Sequence, residues 1–355
     1  MPSEDRYPVT VIRAMVVTRR NPYALDMTVD LRQLRYFVAV AEEGHITRAA
    51  ERLGMQQPPL IQQIKAIERE LGVQLFHRKA RGVELTACGQ ALLDQSRPIL
   101  ASVDHALLLT RRTARGEQGR ICVGIAPTGP FHPLVPRVIR SFREAFPMVT
   151  VTLEECLSNQ ALERLRKQQI DVAFLRAAVP DPQELVVHPL LEEPMIVALP
   201  STHVLAPKGR RPGPIALSEL AGETFIVFGR GDGPGLFDAT MAACLKAGFR
   251  PLLGQEAPRI TSTLGLVAAG IGISLVPASI ERVRMDGVAY RQLIAAERPM
   301  ALLNLASRRN DHSPVVRNFL SLVRQAAHNY DAAQEGAGLP GSTAPKIREK
   351  NRAPK

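Results

Sequence analysis

Four glutamines and a lysine are concentrated between positions 56 and 65, and their side chains suit contacts with the bases of nucleic acid. A glutamine amide donates and accepts at once, so it can form two hydrogen bonds with the edge of an adenine. Helical spacing places these side chains near one outward face, beside a proline that suits the first turn of a helix. We predict that DNA bases are contacted by Gln56, Gln57, Gln62, Gln63 and Lys65, and that Pro58 also belongs to the DNA-binding surface.

Basic residues on both sides of this segment are candidates for a different contact. Arg48 and Arg52 precede it, and Arg78, Lys79 and Arg81 follow it. Such side chains bind backbone phosphates, which sets the register of a protein on DNA without reading its sequence. We therefore expect the affinity to fall as the salt concentration rises.

Three short helices are predicted to position these side chains. Apolar residues recur at spacings of three and four from Leu31 to Glu43, which is typical of one helical face, and Gly44 ends that helix. A second helix is predicted from Thr47 to Leu53, with a turn at Gly54. The third opens at Pro58 and continues to Leu71.

A helix, a turn and a second helix in this order predict a helix-turn-helix. In that motif the first helix braces against the DNA backbone and the second enters the major groove by its N-terminal residues. At the positions where this packing requires it, Ala50 is small, Gly54 is flexible and Leu60 is apolar. The stretch from Leu75 to Thr86 fits a wing. Short matches of this kind also arise by chance, so an ordinary amphipathic helix pair remains the alternative on these features alone.

A longer segment resembles the N-terminal domain of LysR-type transcriptional regulators along its whole length. It reads DLRQLRYFVAVAEEGHITRAAERLGMQQPPLIQQIKAIERELGVQLFHRKARGVELTACG. One position departs from the family, which usually has serine or threonine where this chain has Ile61, so a hydroxyl contact to DNA is expected to be missing and Gln62 is a candidate to replace it. The family's characteristic residues occupy Phe37, Ala49, Ala50, Leu53, Gln57, Pro58, Leu71, Gly72, Leu75, Phe76, Arg78, Leu85, Thr86 and Gly89.

A long helix is predicted from Ala87 to Arg115, interrupted only by Pro98. The resemblance implies that this linker helix pairs two subunits, and by analogy we predict a homotetramer, or at least a homodimer, whose symmetry suits half-sites spaced by turns of DNA. A helix folded back on its own sensor domain is the alternative. The apolar seam consists of Leu92, Leu93, Ile99, Leu100, Val103, Leu107 and Leu108.

Short β-branched runs then alternate with helical ones, which predicts a second domain with helices covering a largely parallel sheet. Ligands in such folds bind where the carboxyl ends of strands meet helix N-termini. Thr128 follows a strand from Ile121 to Ala126, and Ser158 follows a strand from Val149 to Glu155. Both are predicted to cap the next helix, where free amides attract anions.

Two α/β lobes joined by crossing strands are predicted, because LLEEPMIVALP fits a strand entering a second lobe and the chain returns near Tyr290. They resemble the periplasmic-binding-protein fold of LysR effector domains. The predicted fold class is therefore α/β multidomain, with an N-terminal winged helix-turn-helix, a long linker helix and a C-terminal two-lobed periplasmic-binding-protein-like α/β effector domain. The predicted boundaries are 1–29 for an extension, 30–86 for the DNA-binding domain, 87–118 for the linker, 119–327 for the effector domain (lobe I 119–189 and 290–327, lobe II 190–289) and 328–355 for a basic tail.

The resemblance also implies an effector cleft. It would include Thr128 and Ser158 as hydroxyl donors to a carboxylate, Arg176 at the end of a strand, and an apolar wall with Phe228. The run LGLVAAGIGISLVPAS and the helix-start positions are similar to regulators that respond to benzoate, muconate and related aromatic-pathway acids. The alternative is that both hydroxyls only cap helices and that Arg176 is a surface charge.

Composition limits the competing functions. The 355 residues carry a net charge of +11, which favours a polyanionic partner. The four cysteines form no CxxC pair and fit a reducing cytoplasm, and the N-terminal residues lack the apolar core of a secretory signal. The uncharged stretch 260–280 contains three glycines and a proline, so it predicts helix, turn and strand rather than a membrane span.

An enzyme is not expected, since neither GxxxxGK[ST] nor HExxH occurs and the histidines lack metal spacing. No catalytic residue, metal or cofactor is predicted. The glycines of segment 229–235 invite a nucleotide-binding interpretation, but Pro234 stands where GxGxxG has its third glycine, which favours a mobile loop. A solute-binding transport protein would share the sensor fold but would need an export signal, and an architectural DNA binder without a ligand is the remaining alternative.

Together these features predict a cytoplasmic transcription regulator whose promoter binding or bending is controlled by an aromatic or aromatic-pathway carboxylic acid. Its expected partners are double-stranded promoter DNA, the effector, RNA polymerase and further copies of the chain, without a membrane. The N-terminal extension, in which Met27 is an alternative start, and the tail after about Ala332 are expected to be disordered, and the basic tail to add nonspecific DNA affinity.

Overall fold

The computed structural model describes residues 29–179, 183–206, 213–229, 235–257 and 259–336. The chain divides into two compact units at Leu108. Within the described ranges, no helix is both long enough and apolar enough to cross a membrane. The predicted N-terminal extension, the alternative start at Met27, the tail beyond residue 336 and the middle of the glycine-rich segment lie outside the described residues.

Three helices open the N-terminal unit, each within one residue of the bounds that the sequence predicts. Helix α1 spans Leu31–Glu43, α2 spans Ile46–Arg52 and α3 spans Gln57–Leu71. The carboxylate of Asp30 caps α1 by accepting a hydrogen bond from the backbone N–H of Gln33 at 2.7 Å. These local signals explain why the helix bounds follow from the sequence.

A β-hairpin forms the predicted wing. Strands β1, Phe76–Lys79, and β2, Gly82–Leu85, pair antiparallel. The backbone N–H of Val83 donates to the carbonyl oxygen of Gly44 at 2.9 Å, and a Cβ at position 82 would lie 2.3 Å from that same oxygen. Only glycine therefore allows the wing to approach the turn that follows α1.

The helices and the wing enclose one apolar core. Phe37, Leu60 and Leu75 are fully buried in it. Ala49 and Ala50 are also buried, which confirms that the second helix needs small residues where other helices approach it closely. Helix α4, Ala87–Arg115, follows the wing and ends three residues before the predicted linker boundary at 118.

A seven-stranded mixed sheet runs through the second unit. Its strands are β3 (Gln118–Ile125), β4 (Met148–Glu155), β5 (Val172–Leu175), β6 (Leu185–Pro200), β9 (Ser274–Pro277), β10 (Val288–Arg291) and β11 (Met300–Arg308). Strand β3 pairs in parallel with β4 and β5, whereas β11 runs antiparallel to β5 and β6. The expectation of a largely parallel sheet is wrong for these strands, because a chain that crosses and returns through neighbouring strands must reverse direction.

Strands β6 and β11 connect two lobes, each with its own apolar core. On β6, Leu191 packs in the first core and Met195 in the second. On β11, Ala301 packs in the second core and Leu303 in the first. The sequence predicts that the chain returns to the first lobe near Tyr290, but Tyr290 lies on β10 and pairs with the second-lobe part of β6. The predicted point of return is therefore about ten residues too early.

Helices cover both lobes: α5 (Leu134–Ala145), α6 (Ser158–Arg166), α7 (Leu236–Lys246), α8 (Ile260–Ala268) and α9 (Pro314–Gly336), with a small parallel pair of β7 (Thr224–Val227) and β8 (Leu252–Glu256). Helix α8 and strand β9 occupy the uncharged stretch 260–280, which confirms helix, turn and strand there. Helix α9 continues past the boundary expected at 327, so part of the predicted tail is helical.

Candidate nucleic-acid interface and effector cleft

Helix α2, the turn after it and the start of α3 enclose a groove on the surface of the N-terminal unit. Gln56, Gln57, Pro58 and Gln62 line this groove and are exposed, and Ile61 lies among them. The structure thus brings together four of the residues predicted to bind DNA. The three glutamine side chains are exposed at the N-terminal end of α3, the part of a recognition helix that enters the major groove.

The other two predicted base-contacting residues lie elsewhere on α3. The side chain of Gln63 is half-buried, and its Oε1 accepts a hydrogen bond from Gln33 Nε2 at 3.1 Å. Gln63 therefore faces α1, and its predicted place on the outward face is wrong. Lys65 is exposed and lines a second shallow groove together with Gln62.

The two arginines of α2 are already engaged within the unit. Arg52 Nη1 lies 2.9 Å from Glu42 Oε2 and 3.3 Å from Glu43 Oε1, and Arg48 donates to the backbone oxygen of Glu43 at 2.7 Å. The hydrogen bond from Arg52 lowers the pKa of Glu42. Both arginines remain exposed, so a phosphate would share their donors with these acceptors.

The wing carries the second basic group. Arg78 lies on β1 and Arg81 follows it in the hairpin turn, and both are exposed. Lys79 forms an ion pair with Glu84 across the hairpin, and this contact lowers the pKa of Glu84. Arg78 and Arg81 form no ion pair among the described residues, so their donors are free for phosphate, whereas Lys79 would share its charge with Glu84.

A cleft in the second unit is lined by all four residues predicted to bind the effector. Thr128, Ser158 and Arg176 follow the carboxyl ends of β3, β4 and β5, which are neighbours in the sheet. Phe228 follows β7 in the second lobe. Ligands of α/β sheets bind at such strand ends, so the topology explains why residues far apart in sequence meet here.

Arg176 is buried, so the alternative that it is a surface charge is wrong. Its guanidinium forms an ion pair with buried Glu193 and donates to the backbone oxygen of Leu302 at 3.4 Å. Glu193 in turn accepts from the backbone N–H of Ser279 at 3.0 Å and from its hydroxyl at 3.2 Å. Burial lowers the pKa of Arg176, and Glu193 opposes that shift.

The two hydroxyls do not cap helices, contrary to the sequence-based prediction. Thr128 precedes a short 3₁₀ helix but makes no capping bond, and its buried Oγ1 has no hydrogen-bond partner within the described part of the chain. Ser158 is the first residue of α6, and its Oγ accepts the backbone N–H of Arg176 at 3.2 Å. Arg176 Nε is likewise buried without a partner among the described residues.

Sequence reasoning missed Glu193 and two apolar residues of the cleft, Leu236 and Phe237. Glu192 and Glu193 stand together in a strand of apolar residues, and this was a usable signal: alternation along a strand turns one of two adjacent side chains inward, and a buried charge needs a partner. Leu236 and Phe237 begin α7 directly after the undescribed part of the glycine-rich segment. Their periodicity does not distinguish a cleft wall from a core position.

The described residues show no cluster of metal ligands, and their buried thiols are poorly reactive. Burial raises the pKa of Cys122 and that of Cys244 to about 11 each, so both thiols stay protonated at neutral pH. Burial also raises the pKa of Cys156. Across the described ranges, no group of three or more His, Cys, Asp or Glu side chains could hold a metal ion.

Two family models match the chain, and together they cover most of it. The model for the bacterial regulatory helix-turn-helix protein, lysR family, matches residues 31–90. The model for the LysR substrate binding domain matches residues 114–328. The chain belongs to the LysR family. The two matched segments coincide with the helix-turn-helix and wing of the first unit and with the two-lobed second unit.

Individual LysR regulators match over nearly their full length. The HTH-type transcriptional regulator AlsR of Bacillus subtilis (strain 168) is 37% identical over 295 residues, which are 82% of this chain and 95% of AlsR. The crystal structure of CbnR, a LysR family transcriptional regulator, has 30% identity and a TM-score of 0.75, covering 83% of this chain and 100% of CbnR. Full-length CbnR complexed with its target DNA has 29% identity and a TM-score of 0.71, covering 84% and 100%.

As a LysR protein, this chain is a DNA-binding transcription regulator with an effector-binding domain. The family consists of regulators and not of enzymes, as the absence of catalytic motifs predicts. The predicted two-domain fold is confirmed, and the alternative of a solute-binding transport protein is wrong because the helix-turn-helix precedes the sensor fold.

Proposed function

We propose that this LysR regulator binds promoter DNA through the exposed N-terminal face of α3 and that a carboxylic acid in the cleft controls that binding. The observation that carries the proposal is that Thr128, Ser158, Arg176 and Phe228, chosen from the sequence, line a single cleft. The effector is an aromatic or aromatic-pathway carboxylic acid, and RNA polymerase gains or loses access to the promoter when it binds.

The polar side of the cleft suits a carboxylate. Thr128 Oγ1 and Arg176 Nε are buried donors without partners among the described residues, and such donors bind an anion strongly because little water competes for them. Helix α6 begins at Ser158, so its N-terminal N–H groups add a favourable dipole. Glu193 already balances the positive charge of Arg176, so the cleft has little net charge to attract a carboxylate. Hydrogen bonds from these donors therefore provide the attraction.

The opposite side of the cleft suits a ring. Phe228 and Phe237 are half-buried, and Leu236 is buried beside them. Aromatic side chains favour stacked or edge-to-face contacts with another ring. A planar acid with one carboxylate end therefore matches both sides of the cleft.

On the DNA side, we assign base contacts to Gln56, Gln57, Pro58 and Gln62. Lys65, predicted from the sequence to contact a base, lies outside the groove that holds Gln56 and Gln57, so we assign it to the DNA backbone instead. Arg48, Arg52, Arg78 and Arg81 are also assigned to the DNA backbone, where basic residues set register and salt dependence. Gln63 is left out of the interface because its side chain is bonded to Gln33.

Helix α4 supports assembly into a homodimer and then a homotetramer. Its side chains Ile99, Leu107 and Leu108 are 45%, 51% and 45% exposed, so they offer an apolar surface to a second copy. Effector binding would change the arrangement of the lobes or of the dimers, and hence the half-site spacing and the bend imposed on DNA. We place this activity in the cytoplasm, where bacterial promoters and RNA polymerase are found.

The DNA contacts are tested by salt-titrated binding to the gene's own upstream region. We expect Gln57→Ala to lose preference for that region over random DNA, and Arg78→Ala with Arg81→Ala to make the slope of log affinity against log salt shallower by about 2. Arg250→Ala with Arg317→Ala removes the same charge from exposed positions in the second unit and should leave the slope unchanged. Equal slopes for both double variants would contradict the assignment of the wing to phosphate contact.

The effector is tested by thermal stabilisation with benzoate, muconate and the uncharged analogue benzamide. We expect stabilisation that increases with the concentration of benzoate, less stabilisation with muconate because it has no ring, and none with benzamide. Thr128→Val should weaken the response to the acid, whereas Thr152→Val, an exposed position on β4 outside the cleft, should not. A response to benzamide equal to that to benzoate would exclude carboxylate recognition.

A further inference from the structure

Ile61 is an aliphatic side chain placed among polar ones on the outward face of α3. It is half-buried and lines the groove together with Gln57, Pro58 and Gln62. A separation of four residues puts it one turn after Gln57 on the same helical face. Ile61 therefore lies within the surface assigned to base contact.

The core of the N-terminal unit does not account for this isoleucine. The core-facing side of α3 is formed by Leu60, Ile64 and Ile67, all of them buried in the apolar cluster of that unit. Ile61 does not belong to that cluster or to the partly buried residues packed against it, as far as the structure describes them. Its side chain points into the groove and remains available to a partner.

DNA offers one apolar group at the floor of the major groove. Thymine carries a C5-methyl group there, while the other three bases present only hydrogen-bonding groups along that edge. An isoleucine cannot form hydrogen bonds, so the thymine methyl is the base feature that it fits. Four residues of helix rise about 6 Å, close to two base steps, so Ile61 and Gln57 would contact bases about two steps apart in one half-site.

We propose that Ile61 recognises the C5-methyl group of one thymine in each half-site of the operator. This assignment rests on the proposed contact between α3 and DNA, and it adds a base preference to that contact. With Gln57 and Gln62 suited to adenine, it predicts an A·T-rich half-site in which one thymine is read by its methyl group alone.

The test replaces single thymines by deoxyuridine, which lacks only the C5-methyl group. The preferred duplex is first selected from random sequence with the full-length protein, and each thymine is then replaced in turn. We expect one position per half-site at which wild-type affinity falls about fourfold, the equivalent of ~0.8 kcal/mol for one buried methyl group. Ile61→Ser should bind the thymine and uracil duplexes with equal affinity.

Two further variants separate this contact from general effects. Ile61→Val retains a branched apolar side chain and should keep most of the fourfold difference. Gln62→Ala alters the adjacent side chain of the same face and should lower overall affinity while keeping the full difference. Any effect of uracil on duplex shape is common to all variants, so only the difference between variants reports the contact with Ile61.

The outcomes distinguish this assignment from the proposed function. Sequence-specific binding in which no single uracil matters would overturn the role of Ile61 alone, as would a uracil effect that persists in Ile61→Ser. If no duplex is preferred over random DNA, the proposed DNA contact fails and the role of Ile61 fails with it. The thermal unfolding of Ile61→Ser should match that of the wild type, because the side chain lies outside the core.

Discussion

His132 is a neutral histidine in the interior of the second unit. Its Nδ1 accepts the backbone N–H of Leu134 at 3.2 Å, and its ring packs edge-on against Tyr330 with centroids 5.2 Å apart. Burial lowers the pKa of His132 to about 4; Arg176 and Arg282 oppose its protonation, and Glu193 favours it. The folded protein thus excludes a proton that the unfolded chain would bind near pH 6.5.

This difference predicts a pH dependence of stability. Because the unfolded state binds the proton first, the free energy of unfolding should decrease as pH falls from about 6.5 to 4, by on the order of 3 kcal/mol, and no further through this group below pH 4. Urea unfolding at several pH values measures the effect. The difference between wild type and His132→Gln isolates it from acidic residues, and parallel curves for the two proteins would refute it.

The buried pair of Arg176 and Glu193 has a larger structural role than either charge alone. It joins the end of β5 to the crossing strand β6, and through Ser279 to the second lobe. Two buried charges are tolerated when each satisfies the other, but one left alone is costly.

Glu193→Ala should therefore destabilise the second unit by ~3–5 kcal/mol, because Arg176 would be left buried and unpaired. Glu192→Ala changes the adjacent, half-buried residue and should cost less than about 1 kcal/mol. The measurement is denaturant unfolding monitored by circular dichroism. Similar costs for the two variants would show that the ion pair is not the source of the stability.

At the scale of elements, the wing depends on the position of one glycine. Gly82 has a φ of +112°, and its backbone lies directly against the carbonyl oxygen of Gly44. Alanine there would be strained in its backbone and would also collide with the turn after α1. Gly54 has a φ of +65° but open space around it, so it offers a matched comparison.

We expect Gly82→Ala to lower the melting temperature of the protein clearly more than Gly54→Ala, which should cost only about 1 kcal/mol. Gly82→Ala should also weaken DNA binding, because Arg78 and Arg81 are held by the hairpin. Thermal unfolding and binding assays check both effects. If the two alanine variants melt alike, the close approach of the wing does not matter for stability.

Elements with local signals were predictable from the sequence, and elements that depend on distant partners were not. Asp30 and Gly44 mark the ends of α1, so its bounds follow directly from residue types. The face of Gln63 was mispredicted because periodicity places a residue on a helix but does not say how far a neighbouring helix covers its edge. The return to the first lobe was placed at Tyr290 because β10 resembles any short strand until its partner on β6 is known.

In the whole molecule, helix α4 carries exposed apolar side chains. No other described residue of the same chain covers them. Burial of Leu107 and Leu108 against a second chain would remove this surface from water. The two-fold symmetry of such a pair would present two recognition helices to DNA.

Leu107→Asp should shift the protein toward the monomer and weaken operator binding, since a charge in an apolar interface is costly. Ala91→Asp introduces the same group at an exposed position of α4 that faces away from Leu107 and Leu108, and should leave assembly intact. Sedimentation equilibrium measures the state of both variants. An unchanged assembly in Leu107→Asp would place the subunit contact elsewhere.

The helix-turn-helix, the wing and the family resemblance follow from the sequence by itself, because caps and turns depend on residues close along the chain, and the resemblance also pointed to four residues that line one cleft. The folded arrangement was needed to show that Arg176 is paired with Glu193, that the hydroxyl groups of Thr128 and Ser158 make no capping bond, and that Gln63 faces α1. These contacts depend on which strands and helices lie side by side in the fold. A buried charge or amide needs a partner, but that partner can lie far away along the chain, so the local sequence does not identify it.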